Sequence, residues 1–496
     1  MSVRLTLASN ANHQTRTIAI VPVSQPTPHF HLLSVAKTKL RLKKPTIIYL
    51  PTGAVLLPTD PIDSLENDTL LLISSGEPYT GSPVPAATLA PIHTLTPEEN
   101  LDLGALKQLK TCARLPGMQR VIGMPDLHPG GKFPVGAVCV SKNIHPALIG
   151  GDIGCGMSWY RTTLRASSLE SKNDLNRAAN ALVGLETPWR TAEERAQWCE
   201  PADGEWESAL GSIGGGNHFT ELQTLEVCPA PHERRSVVLL VHSGSRGWGK
   251  SILEQFCGPA EEYTRRFPGA DRNTIEPDSA KAVDYLAVHN RALAWASHNR
   301  DLIAHRILSL LEPSHPDFAG DDIPALHAAI AARKFADFAH NAVAVAPDDP
   351  TLWVHRKGAA EVRGDTELLP LPSSHGTPTL LIRPTSLAEA GWSAPHGTGR
   401  LMSSNAAWAK FNERLKHQPV HDMEAEYAAV MGQEGVKGEQ SVPPVLVLDD
   451  ERKQVEDHPD AFKDVKDVAE DLVRSGVGAV VGWARPRVTY KMRKRY

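Results

Sequence analysis

Five short segments between residues 150 and 400 place aspartate, cysteine or histidine beside residues that shape tight turns. They are GGDIGCG (150–156), GSIGGGNHF (211–219), VHSGSRG (241–247), FAHNAVAV (338–345) and SAPHGTG (393–399). Side chains this far apart in the chain can meet only where the strands and helices between them end at one place. Sites of that kind are typical of α/β folds, in which the loops at strand ends carry the functional groups.

Length, charge and composition restrict what this chain can be. Its 496 residues are too many for one ordinary core, so two domains or one large elaborated domain are expected. A net charge of −5 gives no overall attraction to nucleic acid, and only local basic surface remains, such as RPRVTYKMRKRY at 485–496. No apolar run has the roughly 18 residues of a membrane helix. We expect a cytoplasmic protein whose six cysteines form no disulfide framework.

The first 95 residues differ in character from the rest. Short β-favouring runs, broken by Pro, Gly and Asp, lie at 16–23, 38–44, 46–58 and 69–75. A segment rich in Pro, Gly and Thr follows at 76–91 and is typical of a linker. We predict a small β-rich module over residues 1–95 and a second domain over 96–496, which opens with a helix at Thr96-Pro97.

The second domain alternates strands, helices and glycine-rich loops. SVVLLVHS (236–243) is predicted to be a buried strand. Apolar residues recur at helical spacing over 282–313, which predicts a helix of about 30 residues that stops at Pro313. Residues 462–488 predict a helix, a glycine turn and a strand.

Asp152 and Cys155 are three residues apart in a tight glycine turn, so both side chains can face one ion. A hard carboxylate and a soft thiolate together suit borderline ions such as Mn, Fe, Co or Zn. A cysteine buried in a turn is the commoner explanation of such a pattern taken alone.

Three further histidines are of metal-ligand type. His218 follows a glycine run and Asn217, and such a run also lets backbone N–H groups approach phosphates. His242 ends the predicted strand, and His340 precedes Asn341 between apolar flanks. Each can equally be a core histidine that is satisfied by an ordinary hydrogen bond.

His396 lies between Pro395 and Gly397, close to Arg400. An accessible imidazole beside a phosphate-binding loop and an arginine can attack phosphorus as a nucleophile. A histidine in a solvent-exposed loop is the alternative. Arg400 can hold phosphate oxygens or pair with a nearby carboxylate, and its fork geometry suits both.

The motifs together resemble the RtcB family of GTP-dependent RNA ligases, which act in tRNA splicing and RNA repair. The matching segments occur in the family's order: MPDLHPGGKFPVGAV, GGDIGCGM, GGGNHFTE, VHSGSRG, HNAVAV, HRKGAAE, LPSSHGT and SAPHGTGR. They cover roughly residues 97–496. The resemblance implies an α/β fold with a deep, metal-lined central cleft.

The resemblance also implies roles for individual residues. The positions that match the family's manganese ligands, two ions being expected, are Asp152, Cys155, His218, His242 and His340. His396 matches the guanylylated histidine, and Asp126 an acidic residue that the family needs after guanylylation. The implied GTP contacts are Asn217, His218, Phe219, Thr220, Glu221, His340, Asn341, Pro372, Ser373, Ser374, His375, Thr379, His396, Gly397, Thr398, Gly399 and Lys491.

The implied reaction joins an RNA 3′-phosphate or 2′,3′-cyclic phosphate end to a 5′-hydroxyl end through a GMP-histidine intermediate. Family members often need an activator, archease. The chain departs from the family around the nucleotide, at Ser373, His375, Thr379 and Thr398, and these changes bear on nucleotide selectivity. Residues 1–95 are a further departure, and such a module can bind RNA, recruit a partner or block the cleft. A metal-dependent RNA phosphoesterase and an inactive RNA-end-binding protein are the rival hypotheses.

Overall fold

The computed structural model describes residues 2–22, 25–51, 53–62, 65, 67–81, 89–97, 100–257, 274–415, 443–450 and 452–492. The chain forms two compact units, Met1–Leu89 and Ala90–Tyr496, and each has its own hydrophobic core. Much of the predicted linker, at 82–88, and the basic residues at 493–496 lie outside the described residues.

The first unit is a four-stranded sheet with one helix packed against it. Its strands are β1 (Ser2–Ser9), β2 (Asn12–Pro22), β3 (Ile47–Tyr49) and β4 (Leu70–Ser74), in the order β2-β1-β4-β3. Its helix is α1 (Pro28–Lys39). The strand predicted at 38–44 is wrong. Leu32, Ala36 and Leu40 recur every four residues and are all buried, so this stretch completes the apolar face of a helix.

The second unit is built on two larger sheets. Its strands are β5 (Ile92–Thr94), β6 (Met118–His128), β7 (Val135–Ser141), β8 (Gly156–Arg165), β9 (Phe219–Val227), β10 (Ser236–Ser243), β11 (Lys334–Ala339), β12 (Asn341–Val345), β13 (Trp353–Lys357), β14 (Ala359–Glu361), β15 (Leu369–Leu371), β16 (Thr379–Pro384), β17 (Ser393–Pro395), β18 (Val445–Leu448) and β19 (Gly478–Lys491). One sheet has the order β11-β8-β10-β9-β19-β16-β15, with β18 beside β19. The other has the order β12-β13-β7-β6-β5, and β14 pairs with β17.

Helices pack around these sheets and give the mixed α/β fold that was predicted. They are α2 (Leu103–Cys112), α3 (Pro146–Ile149), α4 (Lys172–Leu182), α5 (Ala192–Trp198), α6 (Arg246–Cys257), α7 (Ala280–Leu311), α8 (Ile323–Arg333), α9 (Ser404–Leu415), α10 (Arg452–Glu456) and α11 (Val465–Arg474). Short 3₁₀ turns lie at Ala166–Leu169, Gly204–Ala209, Pro316–Phe318 and Pro459–Ala461. Within the described part of the chain, no helix has the length and apolar character that crossing a membrane requires.

Antiparallel pairing brings four of the sequence motifs together at one end of neighbouring strands in the larger sheet. The start of β8 lies opposite two strand ends, because Gly156 pairs with Ser243 of β10 and with Ala339 of β11. His242 in turn pairs with Phe219, the first residue of β9. At this end of the sheet the first residues of one strand lie beside the last residues of the next, so residues far apart in sequence are neighbours there.

Most element predictions in the second unit are confirmed. The strand at 236–243, the long helix that ends before Pro313, and the helix, glycine turn and strand of 462–488 are all present. The start of α2 was wrong: the helix begins at Leu103 because the Asp102 side chain, not Thr96, caps it by accepting from Ala105 N at 2.9 Å.

Candidate active site

Cys155 lies at the centre of a group of imidazoles. Its Sγ is 3.3 Å from Nε2 of His218, 3.3 Å from Nε2 of His242 and 3.2 Å from Nε2 of His340. The Nε2 atoms of His242 and His340 are 3.2 Å apart. All four residues are buried. The ring nitrogens and the sulfur each have a lone pair that can bind a metal. Because these atoms lie so close together, one cation could bind all of them.

Asp152 joins these four residues from the loop before β8, and the five residues together are the metal-type group. Its Oδ2 lies 2.7 Å from His218 Nε2, while its Oδ1 is buried without a hydrogen-bond partner among the described residues. The loop of Gly244 packs so tightly against this carboxylate that a Cβ at that position would lie 2.3 Å from Oδ1. An unsatisfied carboxylate oxygen beside three imidazoles and a thiol fits a divalent ion, and the residues present therefore fit manganese or a similar metal.

Hydrogen bonds around the group orient its ligands. His218 Nδ1 lies 3.0 Å from the Ile213 carbonyl, which can only accept, so Nδ1 carries the proton and Nε2 offers its lone pair to the group. The backbone N–H of His340 donates to the Cys155 carbonyl at 2.8 Å, which ties the two loops together.

Burial also affects the charge of the group. Burial lowers the pKa of His242 and of His340 well below the usual imidazole value, and the neighbouring imidazoles add to the effect, so both rings stay neutral. Burial, followed by the Asp152 charge, raises the pKa of the Cys155 thiol well above its usual value. A bound metal reverses the latter, because a coordinated thiol loses its proton.

His396 lies beside this group. Its ring centroid is 4.5 Å from that of His340, and its Nδ1 is 2.7 Å from Oδ2 of the fully buried Asp126. The same Asp126 oxygen accepts from the His396 backbone N–H at 3.3 Å. Since a carboxylate accepts the Nδ1 proton, the lone pair is placed on Nε2, for which the described residues provide no partner. This is the tautomer that a nucleophilic imidazole needs.

A cavity of about 330 Å³ connects His396 with the metal-type residues. From the predicted metal ligands it is lined by Asp152, Cys155, His242 and His340. From the predicted nucleotide contacts it is lined by Asn217, Phe219, His340, Asn341, Pro372, Ser373, His396, Gly397, Thr398, Gly399 and Lys491. The structure thus brings most of the predicted site residues to one hollow.

The remaining predicted residues lie at its margins. A second, much smaller cavity shares Phe219, Pro372, Ser373 and Lys491 with the first, and is lined also by Glu221, Ser374, His375 and Thr379. His218 belongs to the metal-type group, while Thr220 lines neither cavity because its hydroxyl donates to the Leu240 carbonyl at 3.0 Å.

Glu221 is a buried carboxyl between two strands. Thr489 Oγ1 donates to it at 2.5 Å and Gln223 Nε2 at 2.6 Å. Burial raises the pKa of Glu221 to about 7, although these hydrogen bonds and Lys491 oppose the shift. Gln223 also donates to Thr379 Oγ1 at 2.8 Å, which links two of the predicted nucleotide contacts.

The positions predicted to depart from the resembled family, and Ser374 beside them, form hydrogen bonds within the chain. His375 Nε2 lies 2.9 Å from the Gln454 carbonyl, and burial lowers the pKa of this imidazole to about 4. Ser374 Oγ donates to the Asp457 carbonyl. Ser373 and Thr398 join their hydroxyls at 2.7 Å, which fixes the loop of His396 against that of Pro372.

Sequence reasoning did not find Asp457, a buried residue in the cavity wall. Its carboxylate meets Lys491 Nζ at 2.9 Å, Lys453 Nζ at 3.1 Å and Arg400 Nη1 at 2.8 Å. Arg400 thus pairs with a carboxylate, one of the two roles considered for it. The signal in the sequence is the four-residue spacing of Lys453 and Asp457, which is common and carried no indication of the site.

His128 was also missed as part of the cavity wall. Its Nδ1 lies 2.8 Å from the Asp126 carbonyl, and burial lowers the pKa of the ring to about 4. It was visible in the MPDLHPG motif, but its type alone did not distinguish it from a core histidine.

Comparison with known proteins identifies similar sequences. The family model described as tRNA-splicing ligase RtcB matches residues 108–197 and 183–492. RNA-splicing ligase RtcB2 of Escherichia coli (strain ATCC 25922) is 33% identical over 396 residues, which are 78% of this chain and 92% of that protein. RNA-splicing ligase RtcB of Escherichia coli (strain K12) is 28% identical, over 65% of this chain and 84% of that protein. tRNA-splicing ligase RtcB of Archaeoglobus fulgidus is 26% identical, over 78% and 90% respectively.

Proposed function

The chain belongs to the RtcB family of RNA ligases, and we propose that it joins RNA 3′-phosphate or 2′,3′-cyclic phosphate ends to 5′-hydroxyl ends in the cytoplasm, with GTP and Mn²⁺. One observation carries the proposal: His396, oriented by Asp126 at 2.7 Å, shares a cavity with the metal-type group around Cys155. A nucleophile and a cation site in one hollow suit nucleotidyl transfer.

His396 supplies the covalent step. Its Nε2 lone pair attacks the α-phosphorus of GTP, a P–N bond forms, the bond to the bridging oxygen breaks, and pyrophosphate leaves. The RNA 3′-phosphate then takes GMP from the imidazole, and the 5′-hydroxyl attacks the activated end and releases GMP. A cyclic phosphate is first hydrolysed to the 3′-phosphate. Asp126 keeps the proton of His396 on Nδ1 in each step.

Asp152, Cys155, His218, His242 and His340 would hold the metal, which when bound orients the triphosphate and offsets its negative charge. Lys491 would add a fixed positive charge to the cavity wall, where Asp457 holds it at 2.9 Å. The Gly397–Gly399 turn would bring backbone N–H groups close to phosphate oxygens. Gly399 has a φ of 77°, and a Cβ there would lie 2.2 Å from the Asp126 carbonyl, so this turn needs glycine.

Glu221 and its neighbours would surround the base. A carboxyl whose pKa is about 7 accepts hydrogen bonds from ring and amino N–H groups once it is ionised, and guanine offers such donors on its Watson–Crick edge. Lys491 shares the small cavity with Glu221 and would favour that ionised form.

The test is a joining reaction with purified protein. RNA that ends in 3′-phosphate or cyclic phosphate is mixed with 5′-hydroxyl RNA and Mn²⁺, with GTP or ATP, and with or without an archease. We expect joined RNA with GTP, no joined RNA with ATP, none with His396→Ala, and full joining with the control His315→Ala, whose side chain lines neither cavity. Phosphate release without joined RNA would contradict the proposal and favour a metal-dependent phosphoesterase.

A further inference from the structure

A second group of metal-ligand side chains lies on two helices, apart from the active-site cavity. His298 and Asp301 are on α7, three residues apart and so on one face, and His327 is on α8. None of the three lines the cavity that contains His396. We propose that His298, Asp301 and His327 form a structural site for a zinc-type divalent ion. The proposal does not depend on the proposed function.

The distances between the ligand atoms fit a tetrahedral ion. His298 Nδ1 is 3.2 Å from His327 Nε2, His327 Nε2 is 3.4 Å from Asp301 Oδ2, and His298 Nδ1 is 3.9 Å from the same oxygen. Bonds of about 2.0–2.1 Å at tetrahedral angles place neighbouring ligand atoms about 3.3 Å apart. The three atoms therefore form one face of a tetrahedron, and two imidazoles with a carboxylate are a ligand set that zinc accepts.

The surrounding residues hold the three ligands in place. Trp198, which is buried, stacks on the His327 ring with centroids 4.6 Å apart, and its Nε1 donates to the His298 carbonyl at 3.1 Å. Tyr160 OH donates to Asp301 Oδ1 at 2.8 Å, so that Oδ2 is directed at the imidazoles. Ligands on rigid helices with fixed rotamers favour metal binding because little order is lost when the ion arrives.

The group has a buried side and an open side. The Asp301 side chain is 2% exposed, whereas those of His298 and His327 are 36% and 20% exposed. An ion can therefore reach the site from solvent and keep a water molecule as its fourth ligand.

The ammonium group of Lys334 opposes a cation here. Its Nζ lies 3.0 Å from Asp301 Oδ1 and 3.1 Å from Oδ2. It also has two other acceptors, Asp337 Oδ2 and Ser297 Oγ, both at 3.2 Å, so it keeps hydrogen-bond partners when Asp301 Oδ2 turns to an ion. The ammonium makes the site weaker than it would otherwise be, and removing it should tighten binding.

An ion bound at this site would stabilise the loops that carry the active-site residues. Between His298 and Asp301 lie Asn299 and Arg300, both buried. Asn299 holds the backbone of the Gly211–Ser212 and Ser243–Gly244 loops, and Arg300 Nη1 donates to the carbonyls of Gly154 and Ser243 at 3.0 Å each. These carbonyls adjoin Cys155 and His242, so fixing α7 to α8 would stiffen the loops that carry them.

The experiment uses zinc and cobalt as probes in the full chain. Cys155→Ala is the background, because it weakens the other group, and the tested change is His327→Ala with His315→Ala as the matched surface control. After dialysis against Zn²⁺, elemental analysis should give one zinc fewer per chain with His327→Ala and no change with His315→Ala. Zn²⁺ should raise the Tm of the background and of the control by more than it raises the Tm of the His327→Ala variant.

Two further measurements guard the interpretation. His327→Ala with Cys155 intact should keep the circular dichroism spectrum of the wild type, which shows that it folds, and His298→Asn should repeat its loss of zinc. Lys334→Met should tighten Zn²⁺ or Co²⁺ binding at least threefold. Equal zinc content in the background and its His327→Ala variant, or no tightening with Lys334→Met, would overturn the proposal.

Discussion

Replacing Asp457 by asparagine should damage both stability and nucleotide binding. The substitution removes one buried negative charge from between three cations and leaves their positive charges without it. Breaking a buried ion pair from one side costs about 3–5 kcal/mol. Lys453 keeps the Gly216 carbonyl at 2.8 Å, and Arg400 keeps the Met402 carbonyl at 2.9 Å, whereas Lys491 has no other hydrogen-bond acceptor among the described residues. We therefore expect a loss near the lower end, about 3 kcal/mol.

The assay is thermal unfolding followed by tryptophan fluorescence, at pH 5 to 8. At roughly 2 °C per kcal/mol for a large domain, Tm should fall by about 6 °C. Burial opposes ionisation of Asp457, but the charges of Lys491, Lys453 and Arg400 outweigh it and hold its pKa far below the usual carboxyl value. A lowered pKa in the folded state stabilises above the unfolded pKa of about 4, so the difference should stay constant over this range and shrink only at lower pH.

The control is Glu233→Gln, which removes an exposed pair with Arg165 in the same unit and should cost less than about 1 kcal/mol. The functional readout is the GTP dependence of adduct formation. Because Asp457 positions Lys491, KM for GTP should rise about tenfold while kcat changes much less. A Tm loss no larger than that of the control, or a change in kcat alone, would refute this reasoning.

Three other substitutions probe separate features. Asp126→Asn should slow RNA joining by at least tenfold, since a hydrogen bond to a charged group contributes about 1.5–3 kcal/mol; a joining rate equal to that of the wild type would show that the 2.7 Å contact with His396 has no role. Glu221→Gln should stabilise the protein more at pH 8 than at pH 5. Burial raises the pKa of Glu221 to about 7, so the folded state keeps a proton that the unfolded chain releases above about pH 4.5, and stability is lost as pH rises through that window; melting curves with a pH-independent difference would argue against it. Gly244→Ala should lower the manganese content measured by elemental analysis, because the new Cβ would meet Asp152 Oδ1 at 2.3 Å; unchanged metal content would mean that Asp152 is not a ligand.

The sequence indicated the metal-type residues because their chemistry can be read from residue type. Asp152, Cys155 and His242 lie in glycine-rich turns at strand ends. Antiparallel pairing of these strands then brings the three residues together at one end of the sheet. Asp457 could not be found in this way. Its importance comes from Lys491 and Arg400, which are far from it along the chain, and a lone acidic residue after a short helix carries no such information.

The prediction of secondary structure from the sequence failed where two patterns competed. The stretch at 38–44 has the alternation that favours a strand, yet Leu40 continues the buried face of α1. Tertiary packing therefore decided its secondary structure. The hydrogen bond of His375 could not be predicted either. Only the structure shows that this imidazole lies 2.9 Å from the Gln454 carbonyl and is thereby held in the pocket wall.

The most direct measurement is to locate the covalent nucleotide. The protein is incubated with Mn²⁺ and GTP labelled at the α-phosphate, digested, and the labelled peptide is sequenced by mass spectrometry. GMP should be attached to His396 through an acid-labile, alkali-stable bond, and His396→Ala should carry no label. A label on another residue, or one that persists in His396→Ala, would contradict the assignment of the nucleophile.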